Sequence, residues 1–215
     1  FAVVAAQEDI GEVDLPYPLF VKPLAEGTAK GIDARSRVNS PAELPAVARR
    51  IWSEFRQPAL VETYLSGREF TVGITGTGRQ AEALGTLEIV LLSSAEPHSY
   101  TYVNKERCEE LCAFPLAPKD WAEQAELLAL EAWRGLGCRD GGRVDLRADH
   151  DGRLQIMEIN PLPGLHPSHS DLPMLCTAVG ISYVDLIGRI VTSAAGRIRE
   201  RDPRLLRLSA GGATV

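Results

Sequence analysis

Arg143-Val144-Asp145-Leu146-Arg147-Ala148-Asp149-His150-Asp151-Gly152-Arg153-Leu154-Gln155-Ile156-Met157-Glu158-Ile159-Asn160 carries more information than any other stretch of the chain. Two apolar runs flank the turn Asp149-His150-Asp151-Gly152, and Asp151-Gly152 is the dipeptide expected to close a hairpin. Each run ends in oxygen donors, Asp145 on the first and Glu158 and Asn160 on the second. Strand side chains alternate between faces, so Glu158 and Asn160 share one face and hairpin closure brings Asp145 roughly opposite. Hard oxygen donors with neither Cys nor His among them suit Mg2+, which keeps waters and bridges to substrate phosphates. The stretch therefore points to nucleotide chemistry. Arg143 falls on the face of Asp145 and reads either as a structural salt bridge or as a guanidinium placed to stabilise an oxyanion.

The whole chain fits that reading. Its 215 residues, 45% apolar and 24% charged, suffice for one large domain or two small lobes with a real core. A net charge of −6 and a pI near 5.3 argue against a nucleic-acid surface. An acidic protein that takes up nucleotides needs Mg2+ and locally placed Lys or Arg. Cys108, Cys112, Cys138 and Cys176 lack the two closely spaced pairs of a zinc knuckle. Reduced thiols in the cytoplasm are the expectation. No apolar run approaches the ~20 residues of a membrane span, and no signal peptide is visible. The chain opens at Phe1 directly in strand-like sequence, which raises the expectation of a further N-terminal part.

Periodicity predicts strands over 1–5, 18–22, 59–65, 69–75 and 82–91, the third and fourth joined through Ser66-Gly67. Ser40-Pro41-Ala42-Glu43 reads as a helix start, with Ser40 capping, Pro41 in the first turn and Glu43 completing a capping box. Apolar positions 44, 47, 48, 51 and 55 give that helix one buried stripe, and Pro58 ends it. Asp120 to Leu136 form a second amphipathic helix with Leu127, Leu130, Ala132 and Trp133 among its apolar positions. A Pro/His/Ser loop spans 161–173 and a last helix about 183–199. Polar residues 93–107 read as a lid. Helices and strands that segregate predict an α+β fold in two lobes. The divisions are 1–67 for a small lobe, 68–203 for a C-terminal lobe with metal and acceptor sites, and 204–215 for a frayed tail.

Several residues invite a functional reading beside a plain one. Lys22 is either an edge-strand lysine in water or a phosphate ligand backed by the loop Glu26-Gly27-Thr28-Ala29-Lys30-Gly31. Backbone N–H groups of such a loop close over phosphate oxygens, although its spacing is not that of a phosphate-binding P-loop. Glu62 and Glu69 flank Thr63-Tyr64-Leu65-Ser66-Gly67-Arg68, either as solvated acids around a hairpin or as groups that grip adenine and ribose. Lys105 is a surface lysine or a charge that closes over phosphoryl oxygens. His166 and His169 with Asp171 could form a zinc or triad fragment, but Pro167 disfavours the regular helix that sets such pairs.

Together, and in this order, these residues resemble the ATP-grasp superfamily and its D-alanine–D-alanine ligase branch, from about Leu19 to Arg199. The resemblance implies two α+β lobes gripping ATP between antiparallel sheets. It implies Lys22, Glu26, Gly27, Thr28, Glu62, Thr63, Leu65, Glu69 and Lys105 as nucleotide contacts. Asp145, Glu158 and Asn160 become ligands of two Mg2+ ions, with Mn2+ as a substitute. Arg143, Lys105 and Thr28 fall in catalytic positions, and Gly164 and Ser170 in the acceptor site. The activity implied is carboxylate–amine ligation through an acyl phosphate, which belongs to cytoplasmic peptidoglycan precursor synthesis. Partners would be small amino acids, without nucleic acid or membrane, and a homodimer is the candidate assembly.

Departures from the branch are specific. The domain ahead of Phe1 with its own lysine is not in this sequence. Glu106 stands where D-alanyl-D-alanine enzymes typically have Tyr, Thr28 stands for a Ser, and the loop from Asn160 to Ser170 is one residue longer than usual. A ligase for another amino acid or dipeptide is therefore the runner-up. An ATP-binding module without turnover and a zinc hydrolase built on His166 and His169 are the rivals from other classes.

Overall fold

A computed structural model describes residues 1–27, 29–95, 103–104 and 107–201. Thr28, Lys105, Glu106, the tail and most of the segment read as a lid lie outside them. The chain divides into two compact units. One comprises Phe1–Arg68, Ile89–Phe114 and Ala148–Arg153; the other comprises Glu69–Glu88, Pro115–Arg147 and Leu154–Val215.

In the first unit, β1 (Ala2–Val4), β2 (Leu19–Pro23), β3 (Arg37–Val38) and β4 (Ala59–Thr63) form an antiparallel sheet in the order β1-β4-β2-β3. Alternation on β2 sends Leu19, Val21 and Pro23 inward and leaves Phe20 and Lys22 half-exposed. Helix α1 (Leu44–Phe55) lays Leu44, Ala48 and Ile51, one helical turn apart, on this sheet beside Val4, Leu19, Val21 and Val61. The Trp52 indole N–H donates to the Val4 carbonyl at 2.9 Å and ties the helix to the outer strand.

The start of α1 differs from expectation. Ser40 does not cap it: residues 41–43 form a turn, and the Glu43 carboxylate accepts from the Asn39 N–H and the Ser40 hydroxyl, both at 3.0 Å. The helix begins at Leu44 with Pro45 in its first turn, where a missing N–H costs nothing. It ends at Arg56, in the left-handed region at φ +54°, two residues before Pro58.

The second sheet comprises β5 (Glu69–Thr75), β6 (Glu82–Leu91), β7 (Cys112–Ala113), β8 (Gly141–Ala148) and β9 (Leu154–Asn160), in the order β7-β6-β5-β8-β9. A short α2 (Cys108–Leu111) precedes β7. The two strands expected around Ser66-Gly67 are not partners: β4 pairs with β1 and β2, whereas β5 pairs antiparallel with β8, Glu69 opposite Arg147 through Thr75 opposite Gly141.

Pleating splits β5 and β8 into an apolar and a polar face. Val72, Ile74, Val144 and Leu146 pack on Ala125, Ala129 and Trp133 of α3 (Lys119–Gly135). Leu127, expected on that stripe, is 73% exposed; small alanines face the sheet instead and let the helix axis approach it. Gly142 is needed for this packing, since a Cβ there would lie 2.5 Å from both the Trp133 ring and the Asn160 carbonyl oxygen. On the opposite face, α4 (Asp171–Ala178) sits over Gly73, where a Cβ would lie 2.8 Å from Leu172. Ile190 of α5 (Tyr183–Arg201) covers Gly141 in the same way. Helix α4 falls partly in the stretch read as a loop through residue 173: Pro173 looks like a breaker but occupies the first turn, which tolerates it. No single helix among the described residues is long and apolar enough to cross a membrane.

Candidate functional site

The β8–β9 hairpin builds the site as its spacing demands. The turn is closed by Asp149, whose N–H donates to the Arg153 carbonyl at 2.9 Å and whose carboxylate accepts from the N–H groups of Asp151 and Arg153, also at 2.9 Å. Gly152 supplies the positive φ, +81°. With that register, Asp145, Glu158 and Asn160 meet. The Asn160 amide nitrogen lies 3.1 Å from Asp145 Oδ2 and 2.8 Å from Glu158 Oε1. Arg143 reaches the same carboxylate, Nε to Asp145 Oδ1 and Nη2 to Oδ2, both at 3.1 Å.

Two residues that the sequence did not assign to this group complete it, and Asp171 faces Arg143 rather than a histidine fragment. The Thr71 hydroxyl, buried on β5 directly opposite Asp145, donates to Asp145 Oδ1 at 2.6 Å. Asp171, first residue of α4, accepts from Arg143 Nη1. The cross-strand pairing would have revealed Thr71, but nothing local encodes a register between strands so far apart in sequence.

Electrostatics make the cluster a place for positive charge. Burial pushes the Asp145 carboxyl above the ordinary carboxylate range, against the pull of Arg143 and Thr71, and Glu158 adds to the rise. Burial also works against the charge on Arg143, but Asp145, Asp171 and Glu158 outweigh it and hold the guanidinium above its usual pKa. Asp145, Asp171 and Glu158 thus all act on the Arg143 guanidinium. The donor set fits a divalent cation: the atoms are hard oxygens, and both carboxylates already converge on the Asn160 amide. Turning that amide about its last side-chain bond presents Oδ1 instead of the nitrogen.

The first unit carries Lys22, Glu26, Gly27, Glu62, Thr63 and Leu65 of the nucleotide candidates. Lys22 and Glu62 are neighbours on β2 and β4 and form an ion pair at 2.7 Å, both side chains partly open to water. Thr63 is exposed beside them, and Leu65 half-buried. The small-residue loop is anchored through Glu26, which accepts from Gln57 Nε2 at 3.0 Å and pairs with Lys30 at 3.1 Å. Gly31 has φ +82°, and a Cβ there would strike Pro23 at 2.5 Å, so the loop depends on it. Space around Gly27 is open. Glu69, in the second unit, pairs with Arg147 across the strands at 3.3 Å.

In the loop after β9, Gly164 lies against Ser170: a Cβ on it would be 2.6 Å from Ser170 Oγ, which accepts from the His166 N–H at 3.0 Å. The rings of His166 and His169 pack edge to face, centroids 6.2 Å apart.

This antiparallel α+β fold, with an acidic hairpin on its second sheet, is that of the ATP-grasp class. The chain belongs to the family described as the D-ala D-ala ligase C-terminus, whose model matches residues 5–192. The D-alanine–D-alanine ligase of Bordetella petrii is 36% identical over 200 residues, which cover 92% of this chain and 59% of that protein. The Bordetella avium ligase is 37% identical over 188 residues, with 86% and 56% covered. The chain thus spans less than three fifths of the length of these curated relatives. Among solved structures, D-alanine–D-alanine ligase from Bacillus anthracis complexed with ATP matches with a TM-score of 0.66 at 21% identity, over 94% of this chain and 61% of that one. The Coxiella burnetii ligase gives 0.64 at 18% identity, over 92% and 51%.

Proposed function

We propose that the protein is an ATP-dependent carboxylate–amine ligase of the D-alanine–D-alanine ligase type, working through an acyl phosphate. The observation that carries this is the convergence of Asp145, Glu158 and Asn160 beside Arg143 on one sheet face. The family relationship supports it. One oxygen of the donor amino acid's carboxylate attacks the γ-phosphorus, the bond to the β-phosphate oxygen breaks, and ADP leaves. The acceptor amine then attacks the acyl carbon, the carbon–oxygen bond to phosphate breaks, and the nitrogen gives up a proton that leaves with the phosphate, so the products are an amide and inorganic phosphate.

Each group has a role set by its chemistry. Asp145, Glu158 and Asn160 would hold Mg2+, two ions expected with Mn2+ as a substitute, which would neutralise phosphate charge and supply Lewis acidity. Lys22 and Lys105 offer positive charge to the phosphates, and Glu26, Gly27 and Thr28 form the small loop over them. Thr63 and Leu65 offer backbone groups, and Glu62 its carboxylate, to adenine; Glu69 accepts from the ribose hydroxyls. Arg143 faces the oxygen that gains charge as the tetrahedral intermediate forms, and Gly164 lines the acceptor site. Ser170 takes the acceptor's carboxylate. Residues 1–67 would act as a small nucleotide lobe and 68–203 as the metal and acceptor lobe, and the reaction belongs in the cytoplasm.

ADP release measured with a panel of amino acids on the intact protein tests the reading. We expect turnover that depends on an added amino acid, and D-alanine is the first candidate; no amino-acid-dependent turnover across a wide panel would refute it. Because the chain spans less than three fifths of these relatives, a second reading applies to the chain alone: it binds Mg2+–ATP without turnover. Calorimetry with Mg2+–ATP beside the ADP assay separates the two.

A further inference from the structure

Arg143 is held by two carboxylates from two different elements. Nε and Nη2 lie against Asp145 on its own strand, and Nη1 lies against Asp171 at the start of α4. The three side chains are only 13%, 10% and 14% exposed, so water does little to screen them. Asp171 carries no part in the residue pattern that defines the proposed chemistry, yet it closes off the far edge of the guanidinium.

We propose that Asp171 is a positioning residue that keeps Arg143 in place when a divalent cation occupies Asp145. The inference rests on the ligase reading above. A cation at Asp145 and Glu158 engages the negative charge that otherwise holds Arg143, and two like charges this close repel strongly where water is scarce. A guanidinium tied to Asp145 alone would either be driven off or compete with the incoming ion for its carboxylate. The Asp171 pair leaves Nη1 anchored on α4 whatever Asp145 binds. It also couples Arg143 to the acceptor loop, because Asp171 directly follows Ser170, whose hydroxyl closes that loop on the His166 N–H.

Two readouts test this without relying on turnover. The first is the 15N signal of the Arg143 Nε–Hε group, identified by its loss in Arg143→Lys. The second is Mn2+ affinity measured by EPR with a non-hydrolysable ATP analogue. In the wild type the arginine signal should survive saturation with Mg2+ and the analogue. In Asp171→Asn it should be present without Mg2+ and broadened away with it, and Mn2+ affinity should fall about 10–100-fold, the usual effect of losing a partner that orients a metal site. Asp171→Glu should restore both readouts in part, and it carries the comparison if the Asn variant does not fold. An Asp171→Asn protein that matches wild type in both overturns the proposal and leaves the ligase reading standing, even if it melts at a lower temperature. A wild type that binds neither Mn2+ nor the analogue overturns the ligase reading, and this proposal with it.

Discussion

Asp145 is buried, and its carboxyl is shared among a hydroxyl, an amide and a guanidinium. Thr71 fixes one of its oxygens, so Thr71→Val keeps the side-chain volume and removes the donor. Leaving a buried carboxylate oxygen short of a partner costs about 1–3 kcal/mol. We expect Mn2+ affinity to drop about 10–100-fold and Thr71→Ser to retain most of it. Unchanged affinity in the Val variant would separate Thr71 from the metal role. Asp145, Glu158 and Asn160 were legible because period-two alternation and an Asp-Gly turn place them unaided. Thr71 and Asp171 were not, since one depends on a distant strand register and the other on where α4 packs.

At the scale of elements, the sheets hold their shape through close approaches that only glycine permits. Gly142→Ala should cost about 1–3 kcal/mol through overpacking against Trp133 and the Asn160 backbone. Calorimetry should show a lower Tm, and the displaced Asn160 should weaken Mn2+ binding in parallel; an unchanged Tm would mean that β8 and α3 sit further apart than described. Helix α5 is latched by Asp140, which accepts from Arg197 and from the hydroxyls of Ser193 and Thr77 at 3.0 and 3.4 Å. The Arg197 guanidinium above all, with Ser193 and Thr77, holds the Asp140 carboxyl below the usual range despite its burial. A depressed folded pKa stabilises fully above the unfolded value, ~3.9, and the contribution fades as pH falls through the folded one. The stability gap between wild type and Asp140→Asn should therefore shrink as the pH is taken from 5 to 3. A gap that stays constant over that window would deny the latch its charge. The amphipathic pattern of α5 was readable, but its latch was not, because Thr77 and Asp140 come from turns whose positions no local pattern sets. Leu127 and Ala129 make the same point for α3: hydrophobicity alone marked the larger residue, while packing distance selected the smaller.

Over the whole molecule, the ordered set of motifs was legible because each short segment carries its own strand, turn or loop signal. The pairing of β5 with β8 rather than β4 was not, because it joins segments about seventy residues apart. The second unit is tightly closed around Cys176, where burial pushes the thiol up to about 11. At pH 8 that thiol should resist alkylation in the native protein and react on unfolding; rapid native-state labelling would show the α4 layer to be loose. An acyl phosphate moves a carboxylate oxygen onto phosphate, so the fate of that oxygen distinguishes it from other routes to the amide. If D-alanine with both carboxylate oxygens replaced by 18O is turned over with Mg2+–ATP by the intact protein, an acyl phosphate requires one labelled oxygen in each phosphate released. Amide formation accompanied by unlabelled phosphate would rule out the acyl phosphate.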